Sequence, residues 1–360
     1  MEERIAERVQ RAIVERVFPG CVVGVVHSDG RRSVLPFGQF TYGEDAAQVA
    51  EDTIYDVASI TKSIPTASLA LQLIDEGTLR LDQKLIDYIP EFRNADREQV
   101  RIRHLLTYTL DGYGLARALD GGDGASLKDR TADELLEVLL THDFAKRPGM
   151  VFKYTNIPAA LLGLVIEKIM QKPLDILADE HFFAPLKMTR STFHPERFPL
   201  AQIAPTEIDT WRGEVRGVVH DESAYVAARD GKVMGHAGLF STVGDILNYL
   251  EMLLRNGISG NTRFFSEEII GQMETNQIPE LPDFTGLGWE LYQPRFMGRF
   301  ASPTTFGKTG FTGTSCVCDR KTGTAFVLLS NRAYPHRPDD SSAIDALRAD
   351  IGEIVLGPAA

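Results

Sequence analysis

A serine and a lysine stand three residues apart in the segment Tyr-Asp-Val-Ala-Ser-Ile-Thr-Lys-Ser, residues 55–63. On a helix, Ser59 and Lys62 would share one face, with Cβ atoms about 5–6 Å apart. A serine hydroxyl is a weak nucleophile until a base removes its proton, and a lysine amine becomes such a base when burial or a neighbouring cation lowers its pKa. The spacing predicts an activated serine, although the same pair also fits two solvated residues on a surface helix.

A tyrosine and an asparagine precede an apolar run near the middle of the chain, in Phe-Lys-Tyr-Thr-Asn-Ile-Pro, residues 152–158. The phenol of Tyr154 can relay a proton if nearby lysines lower its pKa. The side-chain amide of Asn156 can hold a substrate carbonyl. The alternative is structural, with Asn156 capping the start of a helix and Tyr154 packing beside it.

A third polar segment, Lys308-Thr309-Gly310 followed by Phe311, is predicted to lie on an edge strand beside the serine. Glycine there would let a substrate approach the backbone. The amides of Phe311 and Ser59 would then form an oxyanion hole. A second Lys-Thr-Gly, residues 321–323, follows Asp-Arg between two apolar runs and is predicted to form a hairpin turn.

With these three segments in this order, the chain resembles the class C β-lactamase-like serine hydrolases. This family includes penicillin-binding DD-peptidases, class C β-lactamases and family VIII carboxylesterases. The resemblance extends over nearly the whole chain. Further matching segments are Arg103-His-Leu-Leu-Thr-Tyr-Thr109, Gly235-His-Ala-Gly-Leu-Phe-Ser-Thr242, Gly286-Leu-Gly-Trp289 and Leu329-Ser-Asn-Arg332 with Pro335.

The resemblance implies a role for each polar residue. Ser59 would be the acylated nucleophile, with Lys62 and Tyr154 as the pair that shuttles protons. Substrate contacts would come from Asn156, Lys308, Thr309, Gly310 and Phe311, with Lys308 and Thr309 binding a substrate carboxylate or supporting Tyr154 electrostatically. No metal or organic cofactor is implied. Many esterase-like relatives carry histidine at the position of Lys308, so a lysine there keeps carboxylate-bearing substrates, including β-lactams, in consideration.

We therefore expect a serine hydrolase that cleaves a small-molecule ester, amide or β-lactam through an acyl-enzyme. A carboxylesterase with weak β-lactamase activity is the first expectation, and a DD-peptidase or β-lactamase is the second. A catalytically inactive relative that binds or senses such molecules is the alternative from another class. A Ser-His-Asp triad through His220-Asp221 is a further alternative, but the chain lacks a Gly-x-Ser-x-Gly elbow around Ser59. Arg332 is expected to be structural, ion-paired near the sheet.

The elements that must position these residues follow from apolar periodicity and turn residues. The pattern predicts a helix over residues 2–17, a hairpin across Asp29-Gly30, and a long helix from about Ser59 to Glu76. Pro65 inside it predicts a local kink or an irregular first turn. Mostly helical segments follow, with strands and a closing helix at the C-terminus. The expected class is α/β of the α+β type: an antiparallel sheet flanked by the terminal helices, with an inserted helical domain. We assign residues 1–80 and 281–360 to the sheet domain and 81–280 to the insertion, with the active site in the cleft between them.

Composition limits the classes of partner. The 360 residues carry a formal net charge of −12 and a pI near 5.2. Such an acidic chain is poorly suited to nucleic acid or to an anionic membrane surface. Three cysteines do not make a disulfide framework. The N-terminus has no apolar signal region, so a cytoplasmic protein is expected, or a periplasmic or extracellular one if a leader has been removed. A surface loop is predicted over residues 111–128, and the sequence does not indicate the oligomeric state.

Overall fold

The computed structural model of the protein describes residues 1–92, 97–112, 127–141 and 144–358. The strands are β1 (Gly20–His27), β2 (Arg32–Gly38), β3 (Tyr55–Asp56), β4 (Glu207–Asp209), β5 (Gly213–Val215), β6 (Phe240–Ser241), β7 (Ile258–Ser259), β8 (Thr262–Arg263), β9 (Glu290–Leu291), β10 (Phe306–Thr309), β11 (Ser315–Asp319) and β12 (Thr324–Ser330). The α-helices are α1 (Glu2–Val14), α2 (Ser68–Asp75), α3 (Ile102–Leu106), α4 (Ala132–Thr141), α5 (Ile157–Met170), α6 (Leu174–Ala178), α7 (Glu222–Arg229), α8 (Val243–Leu254), α9 (Glu267–Glu274), α10 (Pro294–Met297) and α11 (Ser342–Leu356).

Both ends of the chain build one six-stranded sheet, with the strand order β2-β1-β12-β11-β10-β9. Every neighbouring pair in this sheet is antiparallel. The N-terminal strand β1 lies beside the C-terminal strand β12, with Cys21 opposite Ser330 and His27 opposite Thr324. The predicted antiparallel sheet is confirmed, whereas the predicted domain boundaries stay a prediction.

Helices cover both faces of the sheet, which is why β1 is almost entirely buried. Because side chains alternate along a strand, Val22 and Val26 pack on the face that carries α8, and Val23 and Val25 pack against α1 and α11. Gly24 lies under α8, where an added Cβ would meet the side chain of Val243 at 2.2 Å. Glycine at this position therefore lets α8 approach the sheet closely.

Several local predictions are confirmed. The hairpin forms across Asp29-Gly30, with Gly30 at a positive φ of 90°. The second Lys-Thr-Gly forms the turn between β11 and β12. The first helix ends at Val14 instead of residue 17, because Arg16 adopts a left-handed conformation with φ of 59° and turns the chain towards β1.

The predicted long helix beginning near Ser59 is wrong. A 3-10 helix spans Ala58–Lys62, a π turn spans Ser63–Ala67, and the α-helix α2 begins only at Ser68. Ile64 lies between these segments with extended angles, φ −118° and ψ 111°. The reason is steric, because a residue that precedes proline is driven out of the helical region. The kink or irregular first turn expected from Pro65 is thus an irregular segment of ten residues before α2, with a break at Ile64.

Among the described residues, no helix has both the length and the apolar character needed to cross a bilayer. The described ranges also contain no group of three or more His, Cys, Asp or Glu side chains arranged to hold a metal ion. Most of the predicted loop 111–128 lies outside the described residues, and nothing further is concluded about its shape.

Candidate active site

Ser59 lies in a tight turn that directly follows β3. Ala58 precedes it with φ of 48°, a left-handed conformation that L-residues rarely adopt. A buried carboxylate holds this turn: Asp56 accepts hydrogen bonds from the amide of Ala58 and the amide of His220, each at 2.8 Å. Burial raises the pKa of Asp56 to about 6, although the two amides partly oppose the shift. The conformation of the turn is therefore fixed from outside by tertiary contacts.

The side chains of Ser59 and Lys62 are in direct contact. In a 3-10 helix residues i and i+3 are eclipsed, and Lys62 Nζ lies 2.8 Å from Ser59 Oγ. The same ammonium group donates to the carbonyl of His236 at 2.9 Å. Lys62 is only 1% exposed, and burial lowers its pKa, with a further contribution from the cation of Lys308. The environment thus favours an amine that can accept a proton.

Tyr154 lies between the two lysines. The ring centroid is 5.5 Å from Lys62 Nζ and 4.1 Å from Lys308 Nζ. Burial opposes ionisation of the phenol, but the two ammonium groups and the hydroxyl of Ser59 outweigh it and lower the pKa of Tyr154. Its side chain is 42% exposed, so one part of it faces solvent. Tyr154 and Lys62 are both tuned towards proton exchange with Ser59.

Lys308 is fully buried behind Tyr154. Its Nζ lies 3.2 Å from Glu290 Oε1 and 4.6 Å from the centroid of the Tyr108 ring. Burial lowers its pKa, but Tyr108, Tyr154 and Glu290 raise it more, so the side chain stays a cation. Lys308 is thus placed to act on Tyr154 electrostatically, and it does not line the cavity described below.

The residues after Lys308 form one wall beside Ser59. The pairing of β10 with the edge strand β9 stops at Gly307, so Thr309 extends beyond that strand. At Gly310 an added Cβ would lie 2.4 Å from the carbonyl oxygen of Val57. Glycine is needed here because this segment approaches the nucleophile turn itself. No acceptor pairs with the Phe311 amide among the residues that the structure describes, which leaves this donor available to a ligand.

Asn156 points towards a second polar network. It occupies the N-cap position of α5, but its side chain makes no capping hydrogen bond and donates instead to Asp221 at 3.2 Å. Asp221 caps α7 and pairs with His236 at 3.1 Å. Burial opposes ionisation of Asp221, but His236 and the capping hydrogen bonds hold its pKa well below the usual range. The alternative in which Asn156 caps its own helix is wrong.

The triad alternative also fails on this geometry. His220 stacks on the ring of Phe311 with centroids 5.4 Å apart, and burial lowers its pKa to about 4. Within the described ranges, neither ring nitrogen of His220 makes a hydrogen bond. Asp221 contacts Asn156 and His236, and the base in contact with Ser59 is Lys62.

These groups border a cavity of about 730 Å³. Six predicted site residues line it: Ser59, Tyr154, Asn156, Thr309, Gly310 and Phe311. In the part of the chain that the structure describes, its twenty lining residues include five cationic side chains, Lys128, Arg295, Arg332, Arg337 and Arg348, and three carboxylates, Asp221, Glu222 and Asp345. The wall is therefore richer in cations than in anions, in a chain whose net charge is −12.

Sequence reasoning missed several residues of this site. Asp56 and Glu290 carried no signal, because each acts on a residue remote in sequence or on a backbone amide. Tyr108 appeared only as part of a matching segment. Arg332 was expected to be ion-paired, yet the described residues include no carboxylate within ion-pairing distance of it, because its guanidinium donates to the backbone carbonyls of Phe311 and Asp340.

Comparison with known proteins agrees with this architecture. The sequence profile of the beta-lactamase family, described as "Beta-lactamase", matches residues 2–350. The chain belongs to the beta-lactamase family. A protein of Escherichia coli (strain K12) named "Putative D-alanyl-D-alanine carboxypeptidase" is 32% identical over 324 residues, which cover 82% of this chain and 72% of that protein. A protein of the same name from Salmonella agona (strain SL483) is 31% identical over 316 residues, covering 80% and 71% of the two chains.

Several solved structures share the fold. EstCE1, a hydrolase with promiscuous acyltransferase activity, superposes with a TM-score of 0.78 at 22% identity and covers 99% of this chain and 98% of its own. The octameric penicillin-binding protein homologue from Pyrococcus abyssi gives 0.73 at 24% identity, with coverages of 97% and 77%. A class C beta-lactamase from Rhodobacter sphaeroides gives 0.69 at 19% identity, with 98% of each chain covered. This member of the beta-lactamase family is thus a serine hydrolase with the β-lactamase fold.

Proposed function

We propose that the protein hydrolyses an ester or amide through an acyl-enzyme on Ser59. The observation that carries the proposal is the 2.8 Å contact between Lys62 Nζ and Ser59 Oγ, made by a buried amine whose pKa is lowered. A nucleophile in contact with a base that is itself oriented by a third group is the arrangement that covalent catalysis needs. The carbonyl of His236 is that third group, because it fixes the position of Lys62 Nζ.

The chemistry follows from the positions of these groups. Lys62 and Tyr154 accept the proton of Ser59 as Oγ bonds to the substrate carbonyl carbon. The amides of Ser59 and Phe311 stabilise the oxyanion that forms. The same pair returns the proton to the leaving group as its bond to carbon breaks. Water then attacks the acyl-enzyme, gives up a proton to the pair, and releases the acid while Ser59 Oγ regains its proton.

Asn156 is proposed to orient a carbonyl or amide group of the substrate, since it lines the cavity and Asp221 holds its position. Thr309 and Gly310 are proposed to contact substrate along the same wall as Phe311. Lys308 is assigned an electrostatic role. Its ammonium lies 4.1 Å from the Tyr154 ring and stabilises the phenolate, while Glu290 and burial keep it away from the substrate.

We propose a carboxylesterase as the basal activity, because an alkoxide or phenolate leaves more readily than an amine. A DD-carboxypeptidase is the second candidate, and two observations favour it. Relatives 31–32% identical carry that name, and the cation-rich cavity wall suits a substrate that ends in a carboxylate.

A substrate panel tests these proposals. Hydrolysis of p-nitrophenyl acetate, nitrocefin and a peptide ending in D-Ala-D-Ala is compared for the wild type and for Ser59→Ala. We expect ester turnover that Ser59→Ala abolishes, and mass spectrometry after a fluorophosphonate probe should place the added mass on Ser59. If only the peptide is hydrolysed, the esterase proposal is wrong and the carboxypeptidase proposal replaces it. Tight binding without turnover, unaffected by Ser59→Ala, would identify a non-catalytic binding protein instead.

A further inference from the structure

One histidine contacts both halves of the candidate site. The backbone carbonyl of His236 accepts a hydrogen bond from Lys62 Nζ at 2.9 Å, and its side-chain Nε2 lies 3.1 Å from Asp221 Oδ1. Asp221 in turn accepts a hydrogen bond from Asn156 Nδ2 at 3.2 Å. The main chain of His236 therefore holds the base, and its ring contacts the carboxylate that holds Asn156.

The backbone around His236 is fixed without help from the imidazole. The carbonyl of Gly235 accepts a hydrogen bond from Thr66 Oγ1 at 2.7 Å. An added Cβ at Gly235 would lie 2.3 Å from the carbonyl oxygen of Ala159, so this segment packs directly on the first turn of α5. Because the main chain makes these contacts, a change of the His236 side chain should leave its carbonyl in place against Lys62.

The ring of His236 makes its polar contacts through one nitrogen. The residue is fully buried, and among the described residues Nδ1 makes no hydrogen bond. Nε2 lies 3.1 Å from Asp221 Oδ1 and 3.0 Å from Ser223 Oγ. Because an ionised carboxylate only accepts hydrogen bonds, Nε2 carries the proton that faces Asp221. The described polar contacts of this side chain are therefore confined to Asp221 and Ser223.

The two oxygens of Asp221 face different partners. Oδ1 is contacted by Nε2 of His236, accepts from Ser223 Oγ at 2.7 Å and accepts from the amide of Ala224 at 2.9 Å. Oδ2 accepts from Asn156 Nδ2. Three donors around one oxygen fix the carboxylate, and the other oxygen then fixes the side chain of Asn156.

The contact with Asp221 selects which end of the Asn156 amide faces the cavity. Since the carboxylate can only accept, the NH2 group of Asn156 turns towards it, and no described residue donates to the side-chain oxygen of Asn156. Without such a partner the terminal torsion of an asparagine is broad, and the amide can present either end. Asn156 lines the cavity, so its oxygen and its second N–H are the groups that a substrate meets.

We infer that the side chain of His236 is a positioning residue, which acts through Asp221 to fix the orientation of the Asn156 amide towards the substrate. The inference rests on the proposed acyl-serine function and on the proposed role of Asn156 in it. A buried polar ring costs free energy that an apolar side chain would not, and a buried polar pair gives little net stability in return. Stability alone therefore does not explain a histidine at this position.

Two substitutions of equal chain length test the inference, because only one of them can donate a hydrogen bond. His236→Gln keeps an N–H near the position of Nε2, whereas His236→Met has none. The substrate is p-nitrophenyl N-acetylglycinate, which carries an amide beside the scissile ester. We expect kcat/KM to fall by about 10- to 100-fold in His236→Met, the loss expected from one hydrogen bond to a charged group. His236→Gln should retain most of the wild-type value.

A double-mutant cycle with Asn156→Ala separates positioning from general damage to the fold. If His236 acts through the Asn156 amide, replacing the histidine costs nothing further once that amide is gone, so the two effects are not additive. The double variant should therefore hydrolyse the ester as fast as Asn156→Ala does. His194→Met is the matched control, because it removes an exposed histidine that also pairs with a carboxylate, that of Asp175 at 2.7 Å, and it should keep the wild-type value.

The outcomes distinguish this inference from the proposed function. If hydrolysis survives Ser59→Ala, the acyl-serine function itself fails. If hydrolysis depends on Ser59 but His236→Met keeps wild-type kinetics, or loses the same factor with and without the Asn156 amide, only the positioning role is overturned. Wild-type kinetics in Asn156→Ala would overturn it together with the proposed role of Asn156.

Two further comparisons keep the test decisive. If the activity of Asn156→Ala is too low to measure, the comparison of His236→Gln with His236→Met decides, and equal losses in the two variants overturn the inference. Should His236→Met fail to fold, His236→Asn replaces it in every comparison, because its amide is one methylene shorter than that of glutamine and ends before Asp221.

Discussion

Replacing Lys308 by methionine tests whether a buried cation sets the working pH of the site. Lys308 lowers the pKa of Tyr154 and also lowers the pKa of Lys62. Without this cation, both groups hold their protons to a higher pH. Because the reaction needs a deprotonated acceptor for the Ser59 proton, the acid limb of the pH profile should move upward.

The distance gives the size of this shift. Lys308 Nζ lies 4.1 Å from the Tyr154 ring centroid, and at an effective dielectric constant near 20 the attraction to a phenolate is about 4 kcal/mol. One pKa unit corresponds to about 1.4 kcal/mol, so the ceiling is about three units. We expect a shift between about one unit and this ceiling, because water at the partly exposed phenol screens the attraction.

The assay is kcat/KM for phenyl acetate from pH 5 to 9.5, for the wild type, Lys308→Met and the charge-matched control Lys321→Met. Folding should survive, since Glu290 keeps its second partner, Arg295, at 2.9 Å. The variant should be most impaired at low pH and should recover as the pH rises. A uniform loss of activity, with the acid limb at its wild-type position, would refute the electrostatic role of Lys308.

Three further predictions concern the frame around the site. Because burial raises the pKa of Asp56 to about 6, its protonated form favours the fold, and stability is lost as the pH rises through the window from about 4 to 6. The free energy of unfolding of the wild type should therefore fall by about 2 kcal/mol more between pH 4 and pH 7 than that of Asp56→Asn. Urea titrations at each pH measure this free energy, and an equal fall in the two proteins would contradict the assignment. Gly310→Ala puts a Cβ 2.4 Å from the carbonyl oxygen of Val57, so the segment that carries Gly310 should move. We therefore expect kcat/KM for p-nitrophenyl acetate to fall by about 100-fold. Wild-type kinetics in this variant would contradict the close approach. Gly24→Ala forces α8 away from the sheet and should lower the free energy of unfolding by about 1–3 kcal/mol. The melting temperature should fall, while the pH profile of kcat/KM should stay unshifted. An unchanged melting temperature would contradict the prediction.

Much of the fold was predictable because it depends on local patterns. The β-branched run over residues 21–28 and the Asp29-Gly30 turn predict the first hairpin, and the closing helix is predicted from the C-terminal segment. The helix predicted to start at Ser59 was wrong, because periodicity does not reveal that the proline after Ile64 forces an extended residue into the run. Boundaries therefore failed where a single steric clash decided the backbone.

The candidate site divides in the same way. Sequence spacing alone brought Ser59 and Lys62 together, since residues three apart meet on either kind of helix. The matching segments named Tyr154 and Lys308 as partners. Neither source could indicate that Glu290 would form an ion pair with Lys308, or that Arg332 would have no carboxylate partner among the described residues.

The amino-acid order by itself determined which groups are available: a hydroxyl, an amine at the right spacing, a phenol and a backbone segment with glycine at the point of closest approach. Only the tertiary structure decided the charge state of these groups and the burial of Lys308 beside Glu290. The reason is physical. Spacing along a helix is a local property, whereas desolvation and Coulomb interactions depend on the distances between elements that lie far apart in the chain.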